Sequence, residues 1–375
     1  MAYYPSRIGF YFERPTQFEA PFFKFLNQRN NLRVLAVFEK SVEDGFDKEQ
    51  QQKLTWGFNL YEGYPNECLS KDGIFWHAVT RNGILIFNGY SKPHLFLAAL
   101  VAKCLGSKIF LRTDSVIYPD GANSSCRYRW LKSLIYRFYD GFLVTGAGGF
   151  NYLTDFLKIP KSKKIIFFPY SVDLDRYTPK FLDASIPDPI LLPMIEFLEA
   201  DSRIPLLVIA KLNNRESPFD LINTFKRYKD LQKIYKVTVV GSGDCLESLR
   251  LECQYSDLES TFHFFGYMPY VLLPAIYSKH KIFYHGPDSE PFGVSVIEAA
   301  AAGLFVLTNT KVGSTEELLR WSTSGYFHQV GDYKELHRLL IKLKDQNFDR
   351  MDISQQVIKG FAYDVLERRL IEGLS

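Results

Sequence analysis

Residues 288–303 read D-S-E-P-F-G-V-S-V-I-E-A-A-A-A-G. The Pro-Phe-Gly turn predicts that a helix begins at about Gly293, and Gly303 is the kind of residue that ends one. The first N–H groups of such a helix, from Gly293, Val294 and Ser295, would point out of its N-terminal end and favour a phosphate. This stretch therefore predicts the start of a helix that can bind an anion.

Glu298 lies inside this predicted helix among apolar neighbours, eight residues after Glu290 in the preceding turn. A buried carboxylate is costly unless it is hydrogen-bonded or paired. The 2′- and 3′-hydroxyls of a ribose would satisfy both of its oxygens. Glu290, nearer to the phosphate, could take hydroxyls of a second sugar. An ion pair between Glu298 and a Lys or Arg of a neighbouring helix is the alternative.

Short apolar runs alternate with helical patterns along the chain, which predicts parallel, doubly wound α/β sheets. A length of 375 residues suits two domains, and the proline-containing, weakly periodic segment 171–203 predicts the boundary between them. The predicted strands are 7–12, 32–38, 83–89, 108–113, 141–146 and 164–170, then 205–211, 236–243, 261–266, 281–286 and 304–309. The predicted helices are 19–29, 93–105, 125–139 and 148–157, then 218–230, 244–253, 271–278, 293–302, 314–320 and 362–373.

The composition is that of a globular protein, with 46% apolar and 23% charged residues. The chain has no run of eighteen apolar residues and no signal-peptide pattern at its N-terminus, so we expect a cytoplasmic protein. The five cysteines are scattered without the spacing of zinc or redox sites. We expect free thiols and no metal site.

The charge is unevenly distributed, since residues 1–180 hold 24 Lys and Arg against 16 Asp and Glu, and the remainder holds 21 against 26. A basic half can meet nucleic acid, an anionic membrane surface or a phosphate-bearing substrate, or it can arise by chance. Nucleic acid is disfavoured because no recognised binding motif accompanies the charge. Residues 126–139, C-R-Y-R-W-L-K-S-L-I-Y-R-F-Y, alternate cations with Tyr and Trp, as helices at anionic bilayers do. A half-buried helix with a solvated basic face is the alternative.

The stretch E-P-F-G-V-S-V-I-E-A-A-A-A-G, with Glu290 and Glu298 in an E-x7-E arrangement, resembles the nucleotide-sugar signature of the retaining glycosyltransferases of family 4. The resemblance runs from about 164 to 320, and the N-terminal half matches only in its alternation of elements. Further segments resemble that family in order: F-F-P-Y-S-V-D-L-D-R-Y (167–177), I-A-K-L-N-N-R-E-S-P-F-D-L-I (209–222), V-V-G-S-G-D (239–244), F-H-F-F-G-Y-M-P (262–269) and T-N-T-K-V-G-S-T-E-E-L (308–318).

The resemblance implies the GT-B fold, in which two Rossmann-like, doubly wound domains face each other across an interdomain cleft. Residues 1–180 would bind the acceptor and residues 181–361 the nucleotide-sugar donor. The C-terminal helix, within 362–375, could cross back to the first domain.

Carried over residue by residue, the resemblance also implies a donor site. Glu290 would hold the hydroxyls of the donor sugar, Lys211 would offset the charge of the diphosphate, and Glu298 would bind the ribose. The family usually has a second cation five residues after the first, where this chain has Glu216, so either Arg215 swings in or Lys211 works alone. The other donor-side residues are Gly241, Gly266, Tyr267, Met268, His285, Phe292, Gly293 and Val294.

The acceptor side rests on polar residues at the ends of predicted strands in the first half. Family members often keep a His, Arg or Asp after the fourth strand, beside the reacting carbon, and an Arg–Asp pair that caps the strand is the alternative there. The candidates are Arg14, Thr16, Gln17 and Asn88 for contact with the acceptor, and Arg112 and Asp114 as catalytic residues together with Glu290 and Lys211.

The activity that the resemblance implies is a retaining, metal-independent hexosyl transfer from a UDP- or GDP-sugar to a hydroxyl of a glycan or lipid-linked acceptor. Surface polysaccharide or glycoconjugate assembly would be the setting, in the cytoplasm or peripherally on the inner face of the membrane. No cofactor is implied beyond the nucleotide sugar itself. An epimerase or phosphorylase on the same fold is one alternative, and a non-catalytic nucleotide-sugar-binding homologue, suggested by Glu216, is another.

Overall fold

The computed structural model describes residues 8–29, 32–40, 46–47, 52–53, 58–89, 92–117, 126–170, 172–179, 188–321 and 325–375. The chain divides into two compact units. The first unit comprises 1–45, 58–173 and 361–375, and the second comprises 46–57 and 174–360. The second unit thus begins within the proline-containing segment, and the last helix is grouped with the first unit.

The first unit is built on a parallel sheet of seven strands in the order β5-β2-β1-β6-β7-β8-β9. All six strands predicted in this half are confirmed, with ends within three residues, and β5 was not predicted. The bounds are β1 Ile8–Phe12, β2 Val34–Phe38, β5 Asn66–Cys68, β6 Ile84–Asn88, β7 Lys108–Thr113, β8 Gly141–Val144 and β9 Lys164–Phe167. The short antiparallel pair β3 Phe46–Asp47 and β4 Gln52–Lys53 is grouped with the second unit.

Helices connect the strands of the first unit. The segment predicted as one helix over 148–157 is an α-helix that continues as a π-helical turn, and helix α2 was not predicted. The bounds are α1 Glu19–Arg29, α2 Lys71–Thr80, α3 Pro93–Cys104, α4 Cys126–Arg137, α5 Ala147–Asn151 with the π-helical turn Tyr152–Phe156, and the C-terminal α15 Tyr363–Leu374.

Aromatic side chains fill one face of this sheet, which accounts for part of the high Phe content. Phe10 and Phe12 stack on β1 with ring centroids 5.9 Å apart, and Phe23 of α1 meets Phe10 edge-on at 5.2 Å. Phe22 of the same helix contacts Tyr363 of α15 at 5.5 Å. Such pairs add to the stabilisation from burial alone, so α1 and α15 are fixed against the sheet and each other.

The second unit has a parallel sheet of six strands in the order β12-β11-β10-β13-β14-β15. This is the doubly wound order in which the winding reverses between the first and fourth strands, here β10 and β13, and ligands bind at that point beyond the carboxyl ends of the strands. The five predicted strands are confirmed, and β15 was missed. The bounds are β10 Ile204–Ile209, β11 Tyr235–Val240, β12 Phe262–Gly266, β13 Ile282–His285, β14 Phe305–Asn309 and β15 Gly325–His328.

The five helices predicted for this half are confirmed, whereas α6, α7, α13 and α14 were not predicted. Helix α8 presents Leu221, Ile222 and Phe225 to the core. The bounds are α6 Leu174–Tyr177, α7 Leu192–Glu199, α8 Phe219–Arg227, α9 Leu246–Tyr255, α10 Leu273–Ser278, α11 Val294–Ala301, α12 Ser314–Trp321, α13 Tyr333–Lys344 and α14 Arg350–Phe361.

Two expectations about the whole chain can be compared with this fold. The five cysteines are free thiols, as predicted. No helix in the described ranges is long and apolar enough to cross a membrane.

Candidate functional site

The predicted donor residues of the second unit collect where its winding reverses. Lys211 follows β10, and His285 ends β13. The backbone N–H of Asp288, after β13, donates to the carbonyl of Arg215, after β10, at 2.8 Å. The two loops at the switch point are therefore held together by the main chain.

The loop that carries Glu290 is clamped by the segment that follows β14. Glu290 forms a parallel β-bridge with Val312. The N–H of Gly313 donates to the carbonyl of Glu290 at 2.9 Å, and the N–H of Ser314 donates to the carbonyl of Phe292 at 2.7 Å. Backbone bonds on both sides fix the main chain at Glu290, whose side chain is half-buried. The starting point of that side chain is therefore preorganised.

Gly293 is the residue that turns this loop into helix α11. Its φ is +85°, in the left-handed region that favours glycine. A Cβ at this position would lie 2.9 Å from Cγ1 of Val312, so the loop and its clamp leave no room for a side chain. The helix begins at Val294, one residue after the predicted start, and the N–H of Val296 donates to the carbonyl of Gly293 at 3.2 Å. The N–H groups of Gly293, Val294 and Ser295 come before this first bond of the helix. Its N-terminus therefore offers backbone donors and a positive dipole end.

Glu298 is buried in α11, with 3% of its surface exposed. The hydroxyl of Tyr177 donates to its Oε1 at 2.9 Å, and the hydroxyl of Tyr277 donates to its Oε2 at 3.2 Å. Burial raises the pKa of Glu298 to about 7, against the opposing effects of the tyrosine hydroxyls and Arg176. The alternative was an ion pair with a Lys or Arg of a neighbouring helix. Both of these hydrogen bonds come from tyrosines instead, and Arg176 acts on Glu298 through its charge.

These tyrosines were missed from the sequence. Tyr177 lies 121 residues before Glu298, in α6, and Tyr277 lies in α10. The signal available was indirect: a carboxylate in an apolar helix requires donors, and the chain is rich in tyrosine.

The segment after β10 carries a carboxylate where the resembled family has a cation. Glu216 is buried, with 9% exposed, and it accepts a hydrogen bond from Nη2 of the exposed Arg215. The side-chain oxygen of Asn213 accepts the N–H of Arg215 at 3.0 Å and that of Glu216 at 2.8 Å, which fixes the turn. Burial and the neighbouring charge of Glu290 raise the pKa of Glu216. Arg215 is thus drawn to Glu216 in this structure.

His285 lies beside this pair and is 4% exposed. Burial lowers its pKa to about 4, so the imidazole is neutral at physiological pH. Its Nε2 is buried and has no hydrogen-bond partner among the residues that the structure describes. An unpaired buried ring nitrogen is costly and indicates a position where a ligand or water can bind.

Glycines bring the ends of β10, β11 and β12 together on the other side of the switch point. Gly241 has a φ of +139°, and a Cβ there would lie 1.9 Å from the carbonyl oxygen of Ala210. Its N–H donates to the carbonyl of Gly266 at 2.8 Å. The half-buried Tyr267 and the buried Met268 follow directly, so the residues predicted for the base pocket lie at one edge of the sheet.

In the first unit, the predicted acceptor residues follow neighbouring strands. The loop after β1 carries Arg14, Thr16 and Gln17, while Asn88 ends β6 and pairs in register with Arg112 of β7. Arg14 and Asn88 are exposed, and Thr16 and Gln17 are half-buried. The hydroxyl of Thr16 donates to Oε2 of Glu19 at 2.8 Å.

The alternative of an Arg112–Asp114 pair is wrong. Arg112 is 2% exposed, and its Nη1 donates to Oε1 of Glu19. Its guanidinium lies over the rings of Phe168 and Tyr170, with centroids at 5.3 and 5.1 Å. Asp114 is exposed and accepts the hydroxyl of Tyr170 at 3.0 Å instead. The carboxylate that pairs with Arg112 is therefore the first residue of helix α1 and not Asp114, two residues further along the chain.

Helix α4 is oriented with a lysine inward and apolar side chains outward. Lys132 is buried, and its Nζ donates to the hydroxyl of Tyr152 at 3.0 Å. Trp130 is 65% exposed, Leu131 54% and Leu134 45%. A groove of about 560 Å³ beside them is lined by Cys126, Arg127, Arg129, Trp130, Ser133, Arg137, Phe156, Leu157 and Lys158.

Comparisons with known proteins agree with this architecture. Residues 196–360 match the family model of the glycosyl transferases group 1. No curated protein matches the chain.

Several solved structures share its fold. HepE from Anabaena in complex with UDP is 14% identical with a TM-score of 0.73, over 98% of this chain and 99% of that one. A glycosyltransferase from Rickettsia africae is 13% identical with a TM-score of 0.73, over 98% of both chains. Sucrose-phosphate synthase from Thermosynechococcus elongatus is 14% identical with a TM-score of 0.67, again over 98% of both. The predicted fold of two Rossmann-like domains is confirmed, and residues of the second unit match the family model of the glycosyl transferases.

Proposed function

We propose that this protein is a retaining glycosyltransferase that moves a hexosyl group from a nucleoside-diphosphate sugar to a hydroxyl of a glycan or lipid-linked acceptor. The observation that carries the proposal is the clamped loop Glu290–Gly293, which ends at the N-terminus of α11. The loop after β10, which carries Lys211, is hydrogen-bonded to the segment just before it through Arg215 and Asp288. This arrangement lies at the switch point of the second unit, inside the segment 196–360 that matches the glycosyl transferases.

The donor is a UDP- or GDP-sugar. HepE has been solved with UDP and with UDP-glucose, which favours uridine as the first base to test. Lys211, Arg215 and the N-terminus of α11, through Gly293 and Val294, supply positive charge and N–H donors for the diphosphate. Glu298 takes a ribose hydroxyl, since a carboxylate has about four acceptor positions and the hydroxyls of Tyr177, Tyr277 and Tyr270 act on it already.

Substitution takes place on the front face of the sugar, with the acceptor hydroxyl attacking from the side on which the nucleoside diphosphate leaves. The bond from the anomeric carbon to the acceptor oxygen forms as the bond to the leaving phosphate oxygen breaks, and the hydroxyl proton passes to the leaving phosphate. Negative charge grows on that phosphate, and preorganised cations and backbone N–H groups stabilise it without a metal. Glu290 orients the sugar through its hydroxyl groups.

The acceptor side is formed by Arg14, Thr16, Gln17, Asn88 and Asp114 at the ends of β1, β6 and β7. Arg112 is buried there and holds Glu19, which in turn accepts the hydroxyl of Thr16, so it is a positioning residue for that loop. Surface polysaccharide or glycoconjugate assembly is the setting that such an acceptor would suit.

The outer face of α4 supports attachment to an anionic membrane surface from the cytoplasmic side. Trp130 and Leu134 are exposed beside the cations Arg127, Arg129 and Arg137. Aromatic and aliphatic side chains insert at the level of the lipid headgroups, while arginines pair with lipid phosphate. A solvated basic face alone would not require apolar side chains on the outside.

The direct test is replacement of Glu290 by glutamine. Transfer or hydrolysis of the donor should fall by at least about a hundredfold, as for loss of one preorganised contact in a transition state. Glu259→Gln, an exposed change in the same unit, is the matched control and should leave the rate unchanged. Near-normal rates in Glu290→Gln would reject the assignment.

The same purified protein can be used to identify the donor. UDP-, GDP- and ADP-sugars are compared by thermal shift, because a ligand that binds only the native state raises the melting temperature. Proton NMR of the product then reads its anomeric configuration. An epimerised sugar nucleotide would point to an epimerase, phosphate-dependent release to a phosphorylase, and binding without turnover to a non-catalytic homologue.

A further inference from the structure

Glu216 stands apart from the other carboxylates of the second unit because it is buried within the proposed diphosphate site. Titratable groups from three segments at the switch point act on it. Lys211 and Arg215 come from its own segment, His285 from the end of β13 and Glu290 from the clamped loop. These are the groups that the proposed function assigns to the donor, so a bound diphosphate would bring two more negative charges close to Glu216.

The site cannot easily relieve this repulsion by moving the backbone. The N–H of Glu216 is bonded to Asn213, and the carbonyl of Arg215 accepts the N–H of Asp288 at 2.8 Å. Only the side chains are free to respond. Arg215 is exposed enough to turn, whereas the carboxylate of Glu216 is enclosed.

We propose that donor binding is coupled to the uptake of one proton by Glu216, which releases Arg215 to the diphosphate. This inference rests on the proposed function. The step is balanced: the Arg215–Glu216 ion pair opens, a proton from solvent binds the carboxylate of Glu216, and the guanidinium pairs with phosphate oxygens. Arg215 then acts as the second cation, while Glu216 holds it in place when no donor is bound.

The electrostatics of the unliganded site favour this exchange. Burial and the charge of Glu290 already raise the pKa of Glu216, while Arg215 is the first of the groups that oppose them. Loss of the ion pair and arrival of a diphosphate both act in the raising direction. His285 is neutral because burial lowers its pKa to about 4, so it does not supply the proton.

Linkage gives the sign of the pH dependence. A ligand that binds together with one proton loses affinity as the pH rises, by up to about tenfold per pH unit where the free site is ionised and the bound site is protonated. Binding of the donor should therefore be tighter at about pH 6 than at about pH 8. Glu216→Gln has no proton to gain at this position and should lose this component of the pH dependence. Glu298, whose pKa of about 7 lies in the same range, is common to both proteins, so the difference between them isolates Glu216.

The experiment is calorimetric titration of the full chain with UDP-glucose in buffers of different ionisation enthalpy. UDP-glucose is the suitable probe because both of its phosphates are diesters with one fixed charge each, whereas a terminal phosphate would itself titrate near about pH 6. The slope of the observed enthalpy against the buffer enthalpy counts the protons taken up. We expect the proton count for the wild type and for Glu259→Gln to exceed that for Glu216→Gln by a value approaching one.

At about pH 8, Glu216→Gln should also bind UDP-glucose more tightly than the wild type, because it carries no negative charge beside the diphosphate. The expected factor is at least about fivefold, the smallest that is typical of coupling between two binding events. Equal proton counts for the wild type and Glu216→Gln would place any proton exchange elsewhere. That result would overturn the inference and leave the proposed function intact.

Two further outcomes separate the inference from the function on which it rests. If neither UDP-glucose nor GDP- and ADP-sugars bind, the proposed function fails and the inference with it. If Glu216→Gln does not fold, infrared difference spectra of the wild type decide, because donor binding must produce the carbonyl band of a newly protonated carboxyl group. Absence of that band would refute the inference.

Discussion

Replacement of Glu298 by glutamine tests how the second unit holds a carboxylate inside an apolar helix. Glutamine keeps the shape and can still accept from one tyrosine, but it does not titrate. Because the pKa of Glu298 is raised to about 7 from its ordinary value of 4.5, the fold binds this proton more tightly than the unfolded chain does. The stabilising contribution is fully present below about pH 4.5 and is lost as the pH rises to about 7.

The size of the effect follows from the shift. A difference of about 2.5 pKa units corresponds to about 3 kcal/mol, at 1.36 kcal/mol per unit. One kcal/mol moves the melting temperature of a domain of this size by about 2–4 °C. About three-quarters of this effect falls between about pH 5 and pH 8. The melting temperature of Glu298→Gln minus that of the wild type should therefore rise by about 5 °C or more over that range.

The assay is thermal unfolding of both proteins across this range, with Glu259→Gln as an exposed control. Buried histidines such as His280 and His285, with lowered pKa values, act in the opposite sense, since their contribution is lost as the pH falls. Both proteins share them, so the difference between the two melting curves isolates Glu298. A difference that stays constant with pH would refute the account of Glu298 as a carboxylate whose proton is retained by burial.

Two further predictions concern the glycine turn and the outer face of α4. Gly241→Ala should lower the stability of the second unit by at least about 3 kcal/mol, because it adds a clash with a backbone carbonyl to the strain of a positive φ. Gly331 has a φ of +77° with open space around it. Gly331→Ala should therefore show only the strain, about 1–2 kcal/mol. Equal losses in melting temperature would contradict the close approach. The double change Arg127→Glu and Arg129→Glu should abolish co-sedimentation with phosphatidylserine vesicles at low salt and leave melting unchanged, while Arg338→Glu in the second unit should have no effect. Failure of the wild type itself to sediment would reject the membrane proposal.

The sheets could be predicted because strands buried on both faces read as continuous apolar runs. The burial of all six residues of β11, Tyr235–Val240, shows why such runs are visible. The start of α11 was predictable for a different reason, since only glycine suits the left-handed turn at Gly293. Helix α13 carries Leu336, Leu339, Leu340 and Leu343 at helical spacing, so its signal was present in the sequence and was overlooked.

The partners within the site could not be predicted, because they depend on which strands and helices become neighbours. Glu19 and Arg112 are 93 residues apart and meet only because β1 and β7 flank β6. The local spacing favoured Asp114 as the partner of Arg112, and that expectation failed. Similarly, the tyrosines that bind Glu298 come from two helices that lie 121 and 21 residues before it in the chain. Sequence spacing identifies the residue type that a site needs, but not which distant residue provides its bond.

The proposed donor site is built in two ways, and this bears on where its specificity would lie. The segments at Gly241 and Gly266, predicted to line the base pocket, and the Glu290 loop are formed by backbone bonds and close approaches of glycine. Substitutions there act through the fold and leave little scope for gradual change. Arg215, Glu216 and His285 contribute side chains on an already fixed backbone, so they can be exchanged without altering the frame. Differences in affinity among sugar nucleotides should therefore respond most to changes at these three positions, and the proton coupling at Glu216 is the first of them to measure.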